Sequence, residues 1–210
     1  MPTSKRQHTV KPRLTRLDTP ADQDRRLQRL AQTTAALRDG TAHYFEITRL
    51  TSLKRLCQDH MIAQRFALYL AEHAQAQLLA ELRPQSVDAK TWTQYLSLAA
   101  EAITTMQAYL AAPTTARQTR LNQTLYRVQD AQSETARPLG KFTVRIIESI
   151  QLLVIENALQ CFTMPEPGYW AYQTARRYAE RYNLRYGTGL IPESVLLLED
   201  ILHFWQTINL

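Results

Sequence analysis

Glycine is scarce in this chain, with 5 in 210 residues, where average usage near 7% supplies about 15. All five (Gly40, Gly140, Gly168, Gly187 and Gly189) fall at expected breaks between elements. That shortage leaves no material for a phosphate-cradling loop. Neither G-x-G-x-x-G nor the Walker pattern occurs, and Gly187-Thr-Gly189 alone carries no weight. Cysteine is rarer still. Cys57 and Cys161 make no C-x-x-C pair, and the N-terminus lacks the apolar h-region of a signal peptide. Both are read as reduced core thiols of a cytoplasmic protein. Long uncharged apolar runs are missing as well, so no membrane span is expected.

What is present favours helices. Scarce glycine beside abundant Ala, Leu, Gln and Arg suits helices joined by short connections. Phe142 to Phe162 stands out as the stretch around which the rest is organised. Its charges, Arg145, Glu148 and Glu156, share one narrow strip with Lys141 at 100° per residue. Val144, Ile146, Ile147, Ile150, Leu152, Leu153, Val154, Ile155, Ala158, Leu159 and Phe162 make most of the remaining circumference apolar. The β-branched run also suits a buried strand, but strands rarely exceed about ten residues, so length favours a helix. A helix apolar on most sides has neighbours on most sides. The expected fold is therefore an all-α single-domain bundle of about six to eight helices around this central hydrophobic one.

Other helices follow from caps and periodicity. One should begin near Pro20, capped by Asp18 or Thr19, and end at Gly40. A long helical stretch covers His43 to Leu82, interrupted near Thr51-Ser52. Ser86 is read as the cap of a helix to about Ala111, Thr115 to Ala136 as a polar outer helix, and Gly168 to Tyr186 and Pro192 to Ile208 as the last two. Phe204, Trp205, Ile208 and Leu210 either dock on the central helix, the favoured reading, or form part of a homodimer seam.

Charge divides the chain in two. Lys5, Arg6, Lys11, Arg13 and Arg16 give +5 over the first seventeen residues, which leaves the body at about +1 of the formal +6. Residues 1–18 are too polar to offset the entropy of ordering. They are read as a flexible basic arm attached to a helical domain over 19–210, either a tether for an anionic partner or, slightly favoured, a solvated terminus with no specific role.

Among surface patterns, Tyr178, Tyr182 and Tyr186 recur every fourth residue beside a stripe of Arg177, Arg181 and Arg185. Tyr and Arg are enriched at binding hot spots, and the same pairing suits stacking on single-stranded nucleic acid. The alternative is that the tyrosines line the core while the arginines are solvated. Asp200-x-x-His203 places two metal-ligand types on one helical face, and Cys57-x-x-His60 is half a zinc site. Each lacks the rest of a set, so no metal or cofactor is expected. Arg55-x-x-x-x-His60 resembles the Arg-x4–6-His signature of the HEPN ribonucleases, an all-helical family. The likeness covers six residues, and Leu56 stands where that family usually carries a polar residue. No catalytic role follows from it. The functional expectation is a non-enzymatic protein acting through protein–protein contact, as adaptor or assembly factor, with nucleic-acid binding through the arm and the helix over 169–186 as the alternative.

Overall fold

The computed structural model describes residues 19–41, 55–80, 88–135, 137–139, 142–144, 150–186 and 191–208, with backbone alone for 133–135, 137–139, 142–144, 150, 180–186 and 191–197. Among them are seven helices and one short ribbon. They are α1 (Pro20–Arg38), α2 (His60–Ala80), α3 (Ala89–Ala111), α4 (Thr115–Thr135), strands β1 (Arg137–Leu139) and β2 (Phe142–Val144), α5 (Ile150–Thr163), α6 (Pro167–Tyr186) and α7 (Ile191–Ile208). The fold is an all-α bundle around α5.

α5 packs against α2, α3, α4 and α6. Every residue from Gln151 to Phe162 is buried except Glu156, which is half-buried. Three of its polar side chains, Glu156, Asn157 and Gln160, find hydrogen-bond partners. Asn157 Nδ2 donates to the Leu153 carbonyl at 2.8 Å, and Glu156 Oε1 accepts from Gln129 at 3.1 Å and Gln160 at 3.3 Å. Buried polar atoms that find partners in this way escape most of the desolvation penalty.

The expected helix over Phe142–Phe162 is corrected at its front end. Phe142–Val144 is a strand paired antiparallel with Arg137–Leu139, Pro138 opposite Thr143, and the helix starts at Ile150. Thr143 and Val144 are β-branched and suit a pleated ribbon, and Ile146 and Ile147 carry the apolar pattern on toward the helix past Arg145. Length therefore misled.

α4 is polar outside, as its thin stripe of Leu121, Leu125 and Val128 requires, and those three are buried. Two of its side chains also finish neighbouring helices. Arg117 Nη1 donates to the carbonyls of Ala108 and Ala112 at the end of α3, and Gln118 Nε2 to that of Phe162 near the end of α5. Asp88 caps α3 through the Thr91 amide at 2.9 Å, a role the sequence reading gave to Ser86, which lies outside the described residues.

The first and last helices pair with each other: α1 packs on α7, and Arg38 forms an ion pair with Glu199. α7 meets the bundle through rings. Phe204 lies 5.0 Å from Phe66 and 5.3 Å from Tyr69, and Trp205 lies 6.1 Å from Phe66. The ring partners of Phe204 and Trp205 are thus on α2, where the sequence suggested the central helix. Among the described residues, no helix is long and apolar enough to cross a membrane.

Candidate functional site

The turn between α5 and α6 carries the most suggestive exposed surface. Its sequence, Met164-Pro-Glu-Pro-Gly-Tyr-Trp170, places two prolines around one residue, and helices stop where proline removes the donor and restricts the residue before it. Between the prolines, Glu166 adopts φ 59°, the left-handed region that a non-glycine residue enters only under constraint. The constraint is visible. The Met164 amide donates to the Gln160 carbonyl at 2.9 Å, and the Tyr169 amide to that of Glu166 at 2.9 Å. The Cys161 thiol donates to the Pro167 carbonyl at 3.2 Å from inside the core. Pro167 opens α6, where its missing amide proton is no loss.

On this fixed turn, two large apolar side chains face solvent, Met164 at 41% exposure and Tyr169 at 37%. The Tyr169 ring meets Trp170, half-buried, edge-on at 5.1 Å. Met61 and Leu79 on α2 and Tyr126 on α4 are also exposed, each within a regular helix rather than on a turn set by prolines. Met, Tyr and Trp are residue types enriched at interfaces, and rigid presentation lowers the entropy lost on binding. Sequence reasoning included Tyr169 only as the start of the Tyr/Arg helix and passed over Met164. The Pro-Glu-Pro spacing was the signal available.

Tyr178, expected on the interaction stripe, is fully buried. Ala171, Thr174, Ala175, Tyr178 and Ala179 form the inward face of α6 at helical spacing. The i, i+4 tyrosine row therefore enters the core at this position, and the surface reading of Tyr178 is corrected. Arg177 beside it is half-buried. The side chains of Arg181, Tyr182, Arg185 and Tyr186 lie outside the described residues, as do Lys5, Arg6, Lys11, Arg13 and Arg16.

The Tyr178 hydroxyl sits in a polar seam. It accepts from Gln77 Nε2 of α2 at 3.2 Å and donates to Asp200 Oδ2 of α7 at 3.3 Å. Tyr69, His73 and Gln77 follow one another at four-residue spacing on α2. His73 Nδ1 donates to the Tyr69 carbonyl at 2.9 Å, since a carbonyl only accepts, which leaves Nε2 as the acceptor in the neutral ring. The Tyr69 and His73 rings lie 4.2 Å apart. Burial pushes the Asp200 carboxyl above the usual carboxylate range, against the opposing influence of His73, the Tyr178 hydrogen bond and His203. Burial and the Asp200 charge together push the Tyr69 hydroxyl up to about 12.

The Cys57-x-x-His60 half-site is split between core and surface. Cys57 is buried, whereas His60, at the start of α2, is exposed. Leu56, beside Arg55, is a core residue. Among the described residues, no group of three or more His, Cys, Asp or Glu side chains is arranged to hold a metal ion. Burial raises the thiol pKa of both Cys57 and Cys161, with the nearby Cys161 adding to the shift at Cys57. Such thiols are poor nucleophiles.

No known family model matches this chain, and no curated protein or solved structure shows significant similarity to it.

Proposed function

We propose that this chain is a non-enzymatic, cytoplasmic protein-binding module, an adaptor or assembly factor, that grips its partner at the α5–α6 turn. The observation that carries the reading is the exposure of Met164 and Tyr169 on a turn pinned to the central helix. Apolar and aromatic anchors on a rigid support are what hot spots consist of. The position also explains the backbone strain at Glu166, which gives the knob its form at some expense of stability.

A photo-crosslinking phenylalanine analogue at Tyr169 of the full chain tests this. It should yield one recurrent protein adduct, absent when the analogue replaces exposed Gln32 on α1 and abolished by Met164→Ser. A second copy of this chain as the adduct would identify a homodimer. Equal, diffuse labelling from both positions contradicts the reading.

Nucleic-acid binding is the second reading, favoured by the +5 charge of the first seventeen residues. It requires affinity that falls steeply with salt and is lost when residues 1–17 are removed. Burial of Tyr178 takes away one of its stacking platforms.

A further inference from the structure

α1 and α7 behave geometrically as one unit set against the rest. α1 packs on α7, Arg38 pairs with Glu199, and α7 in turn meets α2 and α6. The junction has two unlike halves. One is an aromatic lock of Phe66 and Tyr69 against Phe204 and Trp205. The other is the hydrogen-bonded bridge from Gln77 through Tyr178 to Asp200, which joins α2, α6 and α7 at a single carboxylate. A charged group in a seam between packed helices is unusual. Apolar side chains would hold the helices with less desolvation, and retaining an ionisable group at such cost marks places where its charge state is used.

We propose that the α1–α7 pair docks on the bundle in a proton-linked manner, with the Asp200 carboxyl as the group whose charge state sets how tightly the pair is held. The groups facing that carboxyl are Tyr69 and His73 from α2, Tyr178 from α6 and His203 from α7 itself. Arg38 of α1 is engaged one residue away, at Glu199. Docking takes the half-buried carboxyl partly out of water, and the neighbours compensate only in part. A carboxyl with a higher pKa docked than free takes up protons on docking. Docking therefore tightens as pH falls through the docked value and loosens as pH rises. With the pair lifted, the ring faces of Phe66 and Tyr69 on α2 are uncovered.

Native-state hydrogen exchange on the full chain reads this directly. Protection factors, corrected for intrinsic exchange, are compared for α1 and α7 and for α5 at pH 4, 5, 6 and 7, a series that starts near the ordinary carboxylate value. The expected result is protection that falls in α1 and α7 together as pH rises, by up to about tenfold per pH unit for one linked proton, while α5 stays constant. Asp200→Asn, which keeps an oxygen acceptor for Tyr178, should abolish the dependence. Protection in α1 and α7 that follows α5 at every pH overturns the proposal in the unmodified chain, whatever the variant does. A dependence that survives in Asp200→Asn overturns the assignment to this carboxyl.

Discussion

At Tyr178 a spacing of four between tyrosines is satisfied equally by a surface stripe and by a core face, and only the neighbours decide. Ala171, Ala175 and Ala179 decide it here, because small side chains let α6 approach α2 and α5 closely on that face. The hydroxyl is then obliged to find partners inside, and it finds Gln77 and Asp200, which lie 101 and 22 residues away in sequence. No pattern in one sequence joins residues so distant, so the seam was illegible although Asp200 and His203 had been noticed for another reason. Tyr178→Phe removes the central bridge without changing shape. It should lower stability by about 1–2 kcal/mol, measured by urea unfolding at neutral pH. Asp200→Asn should do the opposite. Its raised folded-state pKa means that the ionised form is the penalised one: the penalty is full above the folded value and gone below the unfolded one. The urea midpoint of Asp200→Asn should exceed that of the parent at pH 7.5, and the difference should close toward pH 4. A midpoint lower than the parent's at pH 7.5 would show that the charge is stabilising.

Helix boundaries were legible where side-chain chemistry marks them and illegible where it does not. α1 begins where the sequence indicated, because Thr19, Pro20 and Asp22 form a capping box: Asp22 accepts from the Thr19 amide at 3.1 Å, and its own amide donates to the Thr19 hydroxyl at 3.2 Å. The Thr19 hydroxyl, then its amide, then Arg25 hold the Asp22 carboxyl down to about 2. A depressed carboxylate stabilises above its unfolded pKa, and the contribution is lost as pH falls through the folded one. Amides of the first turn of α1 should accordingly lose protection between about pH 4 and pH 2, while those of α4 do not. Thr19→Ala should cost about 1 kcal/mol and remove that acid sensitivity. The ribbon before α5 was not told from the helix, because Arg145 and Glu148 fall on the same strip as Glu156 when the whole stretch is read at helical spacing. The α5–α6 turn is the intermediate case. Gly168 announced a break, but not that Met164 and Tyr169 face outward beside it. Glu166→Gly should relieve the left-handed backbone there and raise thermal stability slightly, since the relief exceeds the added freedom of the unfolded chain.

The whole molecule rests on α5, and its centrality was the most legible feature of all. A segment apolar around most of its circumference has no solvent face to give, so it must be enclosed. Four helices enclose it here. What the sequence could not show is that the terminal helices pair with each other and meet α2 through rings, because that depends on side chains meeting across more than a hundred residues. Leu159, fully buried on α5, should cost about 2–5 kcal/mol when cut to alanine, read as a shift in urea midpoint. The most direct test of the hub uses a thiol already in place. Cys161 lies on α5 with no exposed surface, and Cys57→Ala leaves it as the sole cysteine. Labelling of Cys161 by a maleimide in rising urea should remain negligible until the chain unfolds as a whole, with the labelling and circular dichroism transitions coincident. Rapid labelling in the absence of urea would contradict an enclosed α5 and with it the architecture from which the α5–α6 turn projects.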